Sequence, residues 1–255
     1  MVGKGLSVFE QSWWIVEKDL KQSFRRKRNL LWGFLFPLTM LLIFSFREMY
    51  ITKDINYIIF LVPGIVAMTA MFASIQEVIS IVWEKQLGTF DRILAAPVKP
   101  ISIILGKTLS GAITGFVQAI IILAVASALF GLSFTNLWLA LIIAFMFTFA
   151  FTGIGILISA YSDEPREAMF LAGLIRFPML FLCGVFFPIE VMPEVLQIVA
   201  YVLPLTYATN ALRAVMIKGY GLLDPMVAID LLALTIYTLV VLSLGAWLLR
   251  KILLR

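Results

Sequence analysis

Histidine is absent from the 255 residues, and cysteine occurs once, at Cys183. The first absence removes the commonest general base and the commonest metal ligand together. The second excludes a disulfide within the chain and a cysteine-based metal site. Charge is scarce too: 14% of residues are charged against 62% hydrophobic, and the mean hydropathy is +1.03. A water-soluble domain of this length cannot bury so much apolar side chain, so lipid must be the solvent for much of it. Six helical spans of roughly 20 residues with short loops account for nearly all of the length. No room is left for a soluble enzyme domain, and no catalytic or metal-binding residue is expected.

The net charge of +5 does not point to nucleic acid, because the basic residues sit at the ends of apolar runs and not along one polar face. The first residues do not read as a signal peptide either. Glu10, Glu17, Lys18 and Asp19 interrupt what would have to be a clean apolar core.

Periodicity predicts an amphipathic helix over residues 7–24, with Phe9, Trp13, Val16, Leu20 and Phe24 spaced by four, three, four and four. Trp13 and Trp14 suit headgroup depth, and Arg25, Arg26, Lys27 and Arg28 follow directly. Residues 1–28 are therefore read as a cytosolic interface segment lying on the membrane, an ordinary packed surface helix being the other reading. Residues 29–255 are read as the transmembrane domain. Its spans are expected at about Asn29–Phe46, Tyr57–Val82, two within Thr108–Ser162, Ala168–Phe187 and Ile229–Leu249. The stretch Thr108–Ser162 holds 55 residues without a charge, enough for two spans turning at Gly131–Asn136. The second span should continue into the cytosol and lead to the most polar internal segment, residues 84–100. Residues 188–226 are apolar but cut by Pro188, Pro193, Pro204 and Pro225 into pieces too short to cross, which predicts re-entrant or interfacial half-helices.

The expected fold is thus all-α and polytopic, with both termini on one side. Fifteen of the twenty Lys and Arg fall on the side of the termini and four on the other, with Arg176 inside a span. That asymmetry predicts cytosolic termini and an external re-entrant segment.

Few residues invite chemistry. Gly106-Lys107-Thr108 looks like the end of a phosphate loop, but Ile101 stands where the loop needs its first glycine. Lys107 is expected to reach back to the headgroups. Gly111 with Gly115, and Gly153 with Gly155, permit close helix packing. Glu77 and Arg176 are ionisable groups within spans, which either serve a cavity or partner charge or snorkel toward the interface.

The run Glu84-Lys85-Gln86-Leu87-Gly88-Thr89-Phe90-Asp91-Arg92-Ile93-Leu94-Ala95-Ala96-Pro97, followed by Leu105-Gly106-Lys107, resembles the cytosolic loop of type-2 ABC transporter permeases. Gly184-Val185-Phe186-Phe187-Pro188, Met192-Pro193, Leu203-Pro204-Leu205-Thr206-Tyr207 and Ala211-Leu212-Arg213 resemble that family's segment after the fifth span. The nearest likeness is to the daunorubicin-resistance and nodulation-type export permeases. The resemblance implies a non-catalytic permease half that pairs with a second copy in the cell membrane. Separate P-loop ATPase subunits, carrying ATP and Mg, would drive export of a drug, a lipid or a lipid-linked saccharide. It also implies a coupling helix contacting the ATPase through Glu84, Gly88, Thr89, Asp91, Arg92, Leu94 and Pro97, the other reading being a solvated connection. A smaller contact is expected at Asp163, Glu164 and Arg166. The substrate pathway is expected where the second and fifth spans meet their symmetry mates, near Met71, Phe72, Glu77, Arg176, Phe177, Met179 and Phe181. Arg176 departs from the neutral polar residue expected there. An anionic substrate, a lipid headgroup or a salt bridge to Glu77 would explain it. The competing function is a stand-alone ion-coupled transporter or channel, marked by paired mid-span charges or an internal repeat. An intramembrane enzyme would need clustered acids, histidines or cysteines at the inner ends of spans.

Overall fold

The computed structural model describes residues 7–25, 27–47, 55–89, 98–132 and 134–253. Helices α1 (Val8–Arg25), α2 (Lys27–Arg47), α3 (Ile55–Gln86), α4 (Pro100–Phe130) and α5 (Leu137–Tyr161) come first. They are followed by α6 (Pro165–Leu182), α7 (Glu194–Val202), α8 (Pro204–Met216) and α9 (Pro225–Leu253). No strand occurs among the described residues. Helices α3, α4, α5 and α9 are each long and apolar enough to cross a membrane. The described apolar part of α2 is shorter, Gly33–Phe46. Helix α6 has 18 residues and carries Arg166, Glu167 and Arg176. With an exposed apolar exterior of Leu232, Ile236, Leu239 and Leu244 on α9 and Phe170, Leu174, Phe177 and Phe181 on α6, this is an all-α, polytopic membrane protein.

The bundle is built around α3. Of its most apolar 18-residue window 89% is buried inside the chain, against 22% for α9. Helix α3 packs on α2, α4, α5, α6 and α8. Its core positions run unbroken from Leu61 to Ala73, which is why it shows no polar stripe: a helix apolar all round is one enclosed all round. Small residues let its neighbours close in. An added Cβ at Gly111 would lie 2.9 Å from Thr152, and one at Gly155 3.0 Å from Val78, so α4 and α5 touch and α5 touches α3, as the small-residue pairs predict.

The polar ends of the bundle are tied by side chains. At one end α6 stops at Leu182, five residues before the expected Phe187, because Gly184 takes the left-handed conformation (φ 72°) and turns the chain across α3. Arg213 on α8 clamps that turn. Its Nη2 donates to the carbonyls of Gly184 (2.5 Å) and Val185 (3.2 Å), its Nε to that of Phe60 (3.2 Å), and its guanidinium carbon lies 3.6 Å from the Phe60 ring centroid. Tyr57 donates to the Phe186 carbonyl at 2.9 Å. Helices α7 and α8 meet at 89° on either side of Leu203-Pro204, giving the two half-helices expected between residues 188 and 226. The α4–α5 turn joins the same end, where Thr135 donates to the Met216 carbonyl at 2.9 Å and Asn136 to that of Gly219 at 2.8 Å. Arg213→Ala should lower the unfolding midpoint in detergent, with a loss of roughly 2–3 kcal/mol, because three carbonyls lose a charged donor. Arg213→Lys should recover only part, since one ammonium cannot match the planar fork.

Candidate functional site

At the opposite end the chain leaves α3 at Gln86 and enters α4 at Pro100, enclosing the segment with the strongest sequence signal. Phe90 to Pro97 lie outside the described residues, and with them Asp91, Arg92, Leu94 and Pro97. Of the remaining predicted contacts, Thr89 is exposed and Gly88 is half-buried, with φ 64° ending the turn after α3. Glu84 is different. Its side chain is 3% exposed and points inward at the end of α3.

The partners of Glu84 form a four-member ion cluster. Lys18 Nζ lies 2.8 Å from Glu84 Oε1 and 3.1 Å from Asp19 Oδ1. Lys107 Nζ lies 2.9 Å from Glu84 Oε2 and 3.0 Å from Asp19 Oδ2. Asp19, Glu84 and Lys107 are each all but fully buried, with Lys18 covering the cluster at 35% exposure. The expectation that Lys107 reaches back to the headgroups is therefore overturned. Two carboxylates within 3.0 Å satisfy its ammonium inside the protein, which removes any gain from extending to the interface.

Helix α1 reaches the cluster because it packs on the bundle. Ile15, Val16 and Asp19 are buried, while Phe9, Trp13 and Trp14 are exposed. The stripe read from the sequence is thus divided between two environments: Val16 packs inward, and Phe9 and Trp13 face out. Glycine makes the approach possible. A Cβ at Gly106 would lie 2.7 Å from Ile15 Cβ and 2.9 Å from the Ser12 carbonyl oxygen. Gln11 Oε1 accepts from the Lys99 backbone N–H at 3.1 Å and from Ser102 Oγ at 2.8 Å, so α1 also holds the returning end of the loop. The α1 N-terminus is closed by a reciprocal pair in which Ser7 N–H donates to Glu10 and Glu10 N–H to Ser7 Oγ. The Ser7 backbone donor, then its hydroxyl, holds the Glu10 carboxyl below the usual carboxylate range.

The α5–α6 connection lies beside this end of α3. Lys85 Nζ donates to the Ser159 carbonyl at 3.1 Å, and Ser159 Oγ to the Val78 carbonyl at 3.0 Å, joining the end of α5 to the end of α3. Asp163, Glu164 and Arg166 follow and are all exposed.

The residues expected along a pathway do not share one surface. Met71 and Met179 lie in the core with exposures of 0% and 3%, enclosed by the chain's own helices. Phe177 and Phe181 face outward from α6. Phe72 stacks on Phe36 at 5.4 Å, and Arg176 lies over the Phe72 ring at 5.2 Å. Arg176 also reaches Gln76 Oε1 at 3.5 Å. It makes no salt bridge to Glu77 among the described ion pairs, which overturns that explanation of its presence. Glu77 accepts from Ser23 on α1 and, at 3.4 Å, from Ser110 on α4. Asp19 and the α1 partners were missed from sequence because nothing in local spacing says which side of an amphipathic helix meets protein. The available signal was Lys107 itself, a cation in an apolar run that needs a counter-charge.

Sequence comparison agrees with this architecture. A family model described as ABC-2 type transporter matches residues 10–217. ABC transporter G family member 20 of Dictyostelium discoideum is 31% identical over 175 residues, covering 68% of this chain and 24% of that protein. Nodulation protein J of Rhizobium leguminosarum bv. trifolii is 30% identical over 203 residues, 79% of this chain and 76% of the relative. The probable multidrug ABC transporter permease YbhR of Escherichia coli (strain K12) is 27% identical over 171 residues, 66% and 46% of the two chains. The chain thus spans a quarter to three quarters of the length of these relatives. Its match runs from α1 through α8 and includes the ion cluster, both connecting loops and the bent half-helices, and the chain belongs to the ABC-2 type transporter family as a multi-pass membrane permease subunit.

Proposed function

We infer that the chain is the permease half of an ATP-driven exporter that moves a drug, a lipid or a lipid-linked saccharide outward. It pairs with a second copy in the cell membrane, with both termini cytosolic. Separate P-loop ATPase subunits supply ATP and Mg, and this chain needs no cofactor of its own and binds no nucleic acid. The name of one relative, a probable multidrug ABC transporter permease, supports a transport role. The Lys and Arg asymmetry supports the orientation.

The observation that carries the coupling role is the frame around residues 84–100. The loop leaves α3 at a buried carboxylate and returns through Lys99, and α1 grips both ends through Lys18 and Gln11. A force on the loop is therefore delivered to α1, α3 and α4 together, as a rigid-body movement needs. Gly88, Thr89, Asp91, Arg92, Leu94 and Pro97 form the contact surface, with Asp163, Glu164 and Arg166 as the neighbouring contact. Glu84 acts from underneath. The pathway lies along the outward aromatic face of α6, Phe177 and Phe181, against the second copy, with Arg176, Phe72 and Glu77 behind it. An ion-coupled transporter working alone is the weaker reading, because the described ion pairs lie within α1 or join α1, the end of α3 and the start of α4 to one another, with none of them at mid-span.

The test is purification from the native membrane in mild detergent with mass spectrometry of what accompanies the chain. A stoichiometric P-loop ATPase is expected. Asp91→Ala should reduce its recovery about five- to tenfold, the effect of removing one contact worth ~1 kcal/mol, without changing the permease's own unfolding midpoint. Recovery of the permease without an ATPase under several gentle conditions would count against the proposal.

A further inference from the structure

At the end of the bundle away from the ion cluster, a cavity of about 720 Å³ lies between the start of α3, the turn after α6, the end of α7, α8 and the start of α9. Its size is that of a small-molecule site, for which about 300–1,000 Å³ is usual. The wall is mixed. Ile59, Phe60, Ile189 and Ile217 supply an apolar body, and Asn210 and Asp230 bring polar groups into it. Asp230 is the anomaly. It stands in the second turn of the apolar helix α9, is 6% exposed, and its Oδ2 has no hydrogen-bond partner. Buried polar atoms are almost always bonded, so an orphaned carboxyl oxygen on a roomy cavity calls for a partner from outside the chain.

The chemistry of the wall selects that partner. Arg213 is committed to three backbone carbonyls, and the other two charged residues of the lining, Lys218 and Glu190, are exposed and of opposite sign. Together they favour an ion of neither sign. Asp230 and Asn210 share a different property: a carboxyl bonds to a hydroxyl group in either protonation state, and a carboxamide both donates and accepts. The Tyr207 hydroxyl donates to the Tyr201 carbonyl at 2.6 Å and keeps its lone pairs for a further donor. Hydroxyl groups on an uncharged head satisfy all three without requiring an ionised carboxyl in a buried place. The rim supplies the rest of the ligand. Ile229 lines the cavity and is exposed, and from it an exposed apolar stripe continues along α9 through Leu232, Ile236 and Leu239 at helical spacing. A polar pocket joined to an apolar stripe fits an amphiphile.

We propose that this cavity binds the uncharged, hydroxyl-rich head of a glycolipid, with Asp230 and Asn210 on its hydroxyls and its chain along the exposed stripe of α9. Among the described residues α6 contributes nothing to the lining, so the site is separate from the pathway proposed along that helix. Only its position in the outer leaflet rests on the proposed cytosolic termini.

The test measures binding of radiolabelled octyl glucoside to the full-length protein in phosphatidylcholine nanodiscs, with empty nanodiscs as the blank. No ATPase is present, so the outcome is independent of the export proposal. Saturable binding is expected, with octylphosphocholine, octyltrimethylammonium and free glucose each competing about tenfold less well than unlabelled octyl glucoside. Asp230→Leu should weaken binding about tenfold without lowering the unfolding midpoint, because it removes an unpaired buried carboxyl, and Asp230→Asn should keep it. Asn210→Ala gives the same reading should Asp230→Leu fail to accumulate. No saturable binding would overturn the site, water then filling it. Competition by octyltrimethylammonium equal to that by octyl glucoside would overturn the uncharged head, and equal competition by glucose would overturn the lipid. Unchanged binding in Asp230→Leu or, in its place, Asn210→Ala would overturn the location.

Discussion

Replacing Lys107 with methionine should cost about 3–5 kcal/mol and sharply reduce the amount of folded protein recovered from the membrane. The size follows from what is left behind. Lys107 is 2% exposed and sits within 3.1 Å of both the Asp19 and Glu84 carboxylates. Methionine fills similar space but leaves two buried carboxylates facing only Lys18, which is partly solvated and already engaged by both. The penalty is that of an uncompensated buried charge, not the net worth of an ion pair, which is often close to zero. A second change separates the two. Adding Glu84→Gln to Lys107→Met restores the charge balance, and the double variant should regain part of the lost stability. The check is the unfolding midpoint and monodispersity of single and double variants purified in the same detergent. If Lys107→Met proves as stable as the parent, the lysine is not buried among carboxylates.

Gly106→Val should have the second largest effect, and for a steric reason. Its Cβ alone would sit 2.7 Å from Ile15 Cβ and 2.9 Å from the Ser12 carbonyl oxygen, and backbone cannot yield as a flexible side-chain tip can. Helix α1 must move away from α4, and Asp19 and Lys18 move with it. Overpacking by itself costs roughly 1–3 kcal/mol, and displacement of Asp19 weakens the ion cluster as well. The expected result is a lower unfolding midpoint together with greater protease sensitivity at the start of α1. Gly131→Ala is a useful contrast. No atom lies within 4 Å of an added Cβ there, so that change should cost only the strain of φ 62°, about 1 kcal/mol.

Helix order, the turn between α4 and α5 and the paired half-helices were legible in the sequence because each has a strong local cause. The uncharged stretch Thr108–Ser162 is too long for one span, and Pro193 and Pro204 sit at the starts of α7 and α8. The end of α6 was misplaced because nothing in the apolar run Met179–Phe187 marks a stop. Only the left-handed Gly184 does so, and its conformation is imposed by the Arg213 clamp from α8. The site was harder for the same reason. Glu84 and Lys107 were read by their neighbours in sequence, as a loop contact and a headgroup contact, yet what fixes them lies on α1: Lys18 holds Glu84 and Asp19 holds Lys107, 66 and 88 residues away in sequence. Glu77 and Arg176 look like natural partners on adjacent spans, but each found a polar neighbour nearer at hand. Buried charges are paired, and sequence supplies that requirement without supplying the partner.

Cysteine substitution tests the central claim, that residues 84–100 form the cytosolic surface on which the ATPase sits. The single native thiol, Cys183, is fully buried, so background reactivity is low. Thr89 is exposed beside the loop, and Leu223, 93% exposed, lies at the opposite end of the bundle. In native membranes, the Thr89→Cys variant should react with a membrane-impermeant thiol reagent only from the cytosolic side and should cross-link to a P-loop ATPase. The Leu223→Cys variant should react only from outside and cross-link to none. Labelling of Thr89→Cys from outside, or an ATPase captured equally well at position 223, would contradict it.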